Sequence, residues 1–327
     1  MSSLHRLRRR ILTPDVRETK LSTRGFHLKN EQARERLETV GSSFLHGFGA
    51  AAEAVGPAEA APSVEATPAA YRGFAYEGAA MAFAIRDALP GRSRHVARFL
   101  ADHDEHVYMA YVGVGWAMAR LPRLLWSRLY APDPLLRWLV LDGYGFHEAY
   151  FKTDRYVRRR QRSATFPWPA DGPRDYAVRA IDQGIGRASW FVAGTDPVQL
   201  LRLLDAFPVD RRRDLYAGAG LAVCYAGGAT EQELNWLAEC AGPYRSDLAQ
   251  GASFGAAARL RAGLVMPHNE LATRVLCGMT VSDATRVTDD ARVGLPPDGA
   301  LPAYEVWRQR IRNAFDPSPA TRKLSEQ

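Results

Sequence analysis

Apolar residues along this chain recur at intervals of three and four, and no stretch alternates apolar and polar positions long enough to make a strand. Between residues 30 and 52, Leu37, Val40, Phe44 and Phe48 mark one face of a helix that opens at Asn30. Further along, RHVARFLADH, LPRLLWSRLYAP, DPVQLLRLLDAF and EQELNWLAECAG predict shorter, Leu-rich helices. Two of these carry start signals. Thr195-Asp196-Pro197 places a cap before a proline, and Thr230 has Glu233 three residues on, the form of a capping box. The pattern predicts an all-α protein.

Between these stretches, a cluster of the form Gly-x-(Gly/Ala/Ser) recurs six times in apolar surroundings. Its copies begin at Gly78, Gly113, Gly143, Gly184, Gly218 and Gly251, with gaps of 35, 30, 41, 34 and 33 residues. A period near ~34 residues is the length of one helix–turn–helix repeat. The neighbouring columns agree. Three residues after each Gly stand Met81, Trp116, Phe146, Arg187, Leu221 and Phe254, all large. Four after stand Ala82, Ala117, His147, Ala188, Ala222 and Gly255, all small but one. Just before come Glu77, Val112, Asp142, Gln183, Ala217 and Gln250, four of them polar. An interior Gly costs a helix roughly 0.5–1 kcal/mol relative to Ala, and close helix contact can recover it. The expected architecture is stacked antiparallel helical hairpins, about six repeat-like units, with no clear copy before residue 70 or after 265.

The remaining organisation follows from composition. Residues 1–52 read as an Arg-rich arm and a helix, 53–70 as an Ala/Pro-rich linker, and 71–327 as the helical repeat domain. That domain ends in a loop-rich tail from Asp289 with one short helix near Tyr304–Phe315. The insert 158–173 accounts for the longest gap. The formal charge of +7 comes from short, scattered arginine runs that join no nucleic-acid motif, so nucleic acid is not an expected partner. Cys224, Cys240 and Cys277 form neither a disulfide framework nor a metal motif. No signal peptide or transmembrane span is expected, and a reducing cytoplasm fits.

Anomalies in the columns select the chemistry. Glu77 is a carboxylate among small and apolar neighbours, where burial would raise its pKa. His147 breaks a stripe of small residues and needs a hydrogen-bond partner or a pocket. Asp142, five residues earlier, sits about 140° around the helix from it. Asp142, His147 and Glu77 are the candidate acid–base residues. His106, Tyr76, Tyr111, Asp182, Gln183, Gln250, Trp116 and Phe146 are the candidate substrate contacts. The run Asp102–His106 has metal-ligand residue types, but acidic residues at a helix start also complement its dipole, so no metal is assigned. Phosphate-loop, nucleophile-elbow and HExxH signatures are missing, and neither Glu105 nor Glu148 is followed by a His at the third position. The residues name no cofactor.

The segments RRRILTPDVRETKLSTRGFH, RGFAYEGAAMAFAIRDAL, HVYMAYVGVGWAMARLPR, PLLRWLVLDGYGFHEAYF, DQGIGRASWF, LYAGAGLAVCYAGG, LAQGASFGAAARLRAG and PAYEVWRQRI resemble the UnbL-like family of enediyne biosynthesis proteins. The resemblance implies action on, or binding of, a linear conjugated polyene on the way to an enediyne core. It also implies UnbV-like and UnbU-like cassette proteins as partners, but carries over no catalytic residue. Three readings stay open: a polyene-modifying enzyme performing desaturation or rearrangement, a non-catalytic scaffold docking the cassette's other proteins, and a carrier or protective binder of the reactive product.

Overall fold

The computed structural model describes residues 3–91 and 93–316; positions 317–327 of the expected tail lie outside the described residues. The described residues form sixteen α-helices and no strand. Seven long helices build the body: α3 (Glu31–Glu53), α5 (Ala69–Ala88), α7 (Val107–Arg120), α8 (Trp138–Phe151), α9 (Arg174–Val192), α11 (Val209–Ala226) and α13 (Arg245–Arg261). Before them come α1 (Ser3–Leu12) and α2 (Leu21–Arg24). The connections hold α4 (Pro57–Glu65), α6 (His95–Asp102), α10 (Pro197–Asp205) and α12 (Glu231–Cys240). After them come α14 (Pro267–Leu276), α15 (Val281–Asp290) and α16 (Ala303–Ala314).

Several starts follow the capping chemistry read from the sequence. Asn30 accepts from the Ala33 N–H, Asp196 from Val198 and Gln199, and Thr230 and Glu233 close a reciprocal box. Two stretches differ from expectation. The Ala/Pro-rich stretch carries α4, because Pro57 sits at the helix start, where its missing N–H is harmless, and Pro57, Ala60 and Val64 are buried. LPRLLWSRLYAP makes only a 3₁₀ segment, Arg123–Arg128, in which Trp126 alone is buried, and Pro132 and Pro134 follow closely.

The glycine clusters fix how the long helices pack. A methyl group added at Gly113, Gly143, Gly184, Gly218 or Gly251 would overlap the carbonyl oxygen of Glu77, Val112, Asp142, Gln183 or Ala217 respectively. Each of these is the residue just before the glycine of the preceding copy. The third residue of the cluster faces the following helix instead: Gly115 meets the Val140 carbonyl, Gly145 Ile181, Gly186 Leu215 and Gly220 Leu248. Moving three residues up one helix therefore moves three residues down its neighbour, so consecutive long helices run antiparallel. The long helices thus stack in antiparallel succession, with the Leu-rich stretches as connections between them.

Register also extends the series to a seventh copy. Gly47 of α3 meets the Ala75 carbonyl and Gly78 meets that of Phe44, which makes Leu45-His46-Gly47 the first cluster. Its opening position has no preceding long helix to approach, so Leu is tolerated there.

The row curls back on itself. Arg259 of α13, fully buried, donates to the carbonyls of Tyr225 at 2.7 Å and Ala70 at 2.9 Å, tying the last long helix to the start of α5. Arg261 pairs with Asp104 at 2.6 Å, and Arg36 of α3 reaches the Ala226 carbonyl at 3.1 Å. The C-terminal α16 is locked in place by a buried ionic network. Arg308 bonds Asp214 at 2.7 Å and Glu305 at 2.8 Å, while Arg179 bonds the same two carboxylates at 2.9 and 2.8 Å.

Candidate functional site

Successive residues of a helix are about 100° apart, so the first and third members of each cluster point to opposite neighbours. The residues one before and three after the first glycine lie between those directions, on a common side. The structure turns that side inward. Met81, Trp116, Phe146, Arg187 and Leu221 line one chamber, and Phe254 joins Arg187 and Leu221 in lining a second. The bulky column is therefore the inner wall.

The first chamber is bounded by α3, α5, α7, α8, α9 and α11, with Pro14, Glu18 and Thr19 also in its lining. About 860 Å³ lies between its side chains, counted out to solvent. Its side chains crowd the space, which is narrow. Phe44, Phe74, Met81, Met109, Phe146, Tyr150 and Phe191 make it mostly apolar.

A few polar groups converge on it. Arg187 donates to Asp142 at 2.7 Å and stands 3.7 Å from Glu77, with its guanidinium 4.9 Å from the Phe146 ring centre. All three charged residues are buried. Glu77 Oε1 has no hydrogen-bond partner, nor do Trp116 Nε1, His147 Nε2 and the Tyr225 hydroxyl, all on chamber-lining residues. Burial pushes the Glu77 carboxyl up to about 7; Arg187 opposes that, the Asp142 charge adds to it, and the nearby Trp116 indole nitrogen opposes it. Burial also raises Asp142, against Arg187 and Arg308. His147 is pushed down by burial, with Glu148, 3.4 Å away, pulling the other way. The chamber thus presents a carboxyl group whose pKa is raised toward neutrality, beside a guanidinium held by Asp142 and an imidazole whose pKa is lowered.

Four of the residues nominated from the sequence, Glu77, His147, Trp116 and Phe146, line this chamber, and Asp142 stands behind it through Arg187. The other six do not line it. Tyr76 stacks on His106 with ring centres 3.5 Å apart and donates its hydroxyl to Glu65, while burial pushes His106 down to about 3. The Tyr111 hydroxyl accepts from the Asp133 N–H at 3.1 Å. Asp182 is held bidentately by Arg211 at 2.7 and 3.1 Å. Gln183 accepts from Tyr304 and Gln250 from Arg308, both at 3.2 Å. Arg187, the one charged member of the bulky column, is the central residue that sequence reasoning passed over. Its partners, Glu77 and Asp142, lie on α5 and α8, far from it in sequence.

Fold and site together define an all-helical protein with an interior apolar chamber that holds a buried acid and a buried cation. The chain belongs to a family of proteins of unknown function, DUF1702, whose family model matches residues 3–315. No curated protein and no solved structure matches it. Among the described residues, no helix is long and apolar enough to cross a membrane.

Proposed function

We propose that the protein takes a linear conjugated polyene into the first chamber during the biosynthesis of an enediyne natural product, with Glu77 moving a proton on the bound chain. The observation that carries this reading is a narrow apolar space whose unmatched polar atoms include a carboxyl oxygen with a pKa near 7. An apolar cleft with few convergent polar groups suits a small molecule, and its narrowness suits a slender chain over a bulky ring system. A group titrating near the working pH is suited to both accept and donate a proton. The resemblance to the UnbL-like family supports the choice of a polyene.

Rearrangement fits this machinery directly. The Glu77 carboxylate would take a proton from one carbon of the chain, the double bonds would shift, and the same group would return the proton at another carbon. That step is redox-neutral; desaturation would require an electron acceptor as well. Arg187 would hold Asp142 in place and keep Glu77 oriented, and His147 and Trp116 would offer hydrogen bonds to a polar end of the ligand.

Titration of the protein with a linear conjugated polyene tests the reading. Saturable one-to-one binding should shift the ligand's absorption band and quench tryptophan emission, with the quenching reduced in Trp116→Phe. Glu77→Gln should retain binding while losing conversion. Absence of saturable binding, or full quenching in Trp116→Phe, refutes it.

A further inference from the structure

A second chamber adjoins the first. Met109, Arg187, Leu221 and Tyr225 line both, so these four side chains form the wall between them. The rest of the second chamber comes from α7, α8, α13, α15 and α16, and includes Phe254, Ala258, Thr288, Tyr304 and Trp307. About 500 Å³ lies between these side chains, counted as for the first chamber.

The wall has two fixed posts and two soft ones. Arg187 is held by Asp142, and the Tyr225 ring lies under the Arg259 guanidinium, 4.0 Å from its centre, with Phe74 edge-on at 5.2 Å. Met109 and Leu221 have no polar tether. Methionine in particular changes shape at little cost. The two chambers differ in where unmatched polar atoms lie, the Tyr225 hydroxyl on the shared wall being one of them. The Thr288 hydroxyl donates to the Thr285 carbonyl and the Tyr304 hydroxyl to Gln183, so the two side-chain hydroxyls with hydrogen-bond partners here are already satisfied by the protein. The unmatched Glu77, Trp116 and His147 atoms all belong to the first chamber.

We infer that the second chamber is a subsite for the apolar tail of the ligand, reached between Met109 and Leu221, and that these two residues set the chain length the protein accepts. The inference rests on the proposed small-molecule reading. The polar or reacting end stays beside Glu77 and Arg187, and the hydrocarbon end passes through the soft part of the wall toward Phe254 and Trp307.

The test uses the full-length protein and linear carboxylic acids of increasing chain length as probes. In the wild type, affinity should rise by about fourfold per methylene beyond the length that fills the first chamber. Ala258→Phe, which fills the second chamber, should abolish that rise and leave medium-chain binding unchanged. Leu221→Ala should tighten long chains selectively. A long-chain acid brominated at its tail should quench emission that disappears in Trp307→Phe, whereas one brominated near the carboxyl should not. If medium chains bind and neither variant alters the length dependence, the tail subsite is wrong while the first chamber stands. If acids of no length bind while a linear conjugated polyene does, the tail subsite is wrong and the reading stands; if neither binds, the two fall together.

Discussion

Replacing Gly184 by Ala separates two opposing effects. In an isolated helix the change would stabilise by about 1 kcal/mol, because Ala has the higher helix propensity. In this structure the new methyl would stand well inside 3.0 Å of the Asp142 carbonyl oxygen and close to the Phe146 N–H, and neither backbone group can swing away. Helices α8 and α9 must separate instead, and overpacking of that kind costs about 1–3 kcal/mol or more. So close an approach takes the upper end of that cost, which less the propensity gain leaves a net loss of about 2 kcal/mol, seen as a lower urea midpoint at unchanged slope in far-ultraviolet circular dichroism. Two further glycines calibrate the result. At Gly255 the nearest obstacles are the Leu221 carbonyl at 3.0 Å and Cys224 Cβ at 3.2 Å, so the two effects should nearly cancel. At Gly49 the methyl meets only the end of the half-exposed Arg9 side chain, at 3.1 Å, so Ala should be neutral or stabilising. Gly145, meeting Ile181 across the same α8–α9 interface, should add less than its single cost once Gly184 is substituted, because the helices are already apart. A Gly184→Ala protein as stable as the wild type, or the same loss at all three positions, would refute the packing argument.

Two predictions concern the buried charges. The Glu77 carboxyl titrates near 7 in the folded protein against an ordinary 4.5, so the folded state binds that proton more tightly than the unfolded chain does. Its favourable contribution is present below pH 4.5 and is lost as pH rises through 7, a change of roughly 3 kcal/mol. The stability difference between wild type and Glu77→Gln should slope downward across that window and be flat outside it, and parallel profiles would contradict the assignment. Arg187→Met leaves Asp142 and Glu77 without their cation and should cost about 3–5 kcal/mol at neutral pH. Adding Asp142→Asn and Glu77→Gln to it should recover most of the loss in the same unfolding assay; a triple variant no more stable than the single would show that Arg187 acts through packing alone.

What the sequence reveals follows from where each helix sits. Copies flanked on both sides need small residues toward both neighbours, and five of the six recognised copies are flanked in this way. The copy in α3 escaped notice because its outer position carries Leu45 and only Gly47 faces a long helix. The last copy ends in Ser253, beyond which no further long helix follows. The curling of the row was not legible, because it rests on contacts such as Arg259 with Ala70, which lie far apart in sequence and match no periodic pattern. The fate of Asp182 was hidden for the same reason, since Arg211 reaches it from the next helix.

The polar column before the glycines shows how one sequence feature divides into structural and chemical roles. Antiparallel packing places the whole column at the height where the helices cross, so every polar side chain there must find its partner in the interior. In one half that partner comes from α16, a helix outside the repeat: Tyr304 meets Gln183, and Arg308 meets Gln250 while also pairing with Asp214. Asp142 is answered from within the array by Arg187. Glu77 shares that same guanidinium at the longer distance of 3.7 Å and keeps one oxygen unmatched. Residues of one column thus differ in role because a helix remote in sequence supplies partners to one half of it, although the Gln183 side-chain nitrogen stays unmatched. The other half keeps its unmatched polar atoms facing the narrow apolar chamber, which is the condition under which a buried carboxyl group titrates near neutral pH.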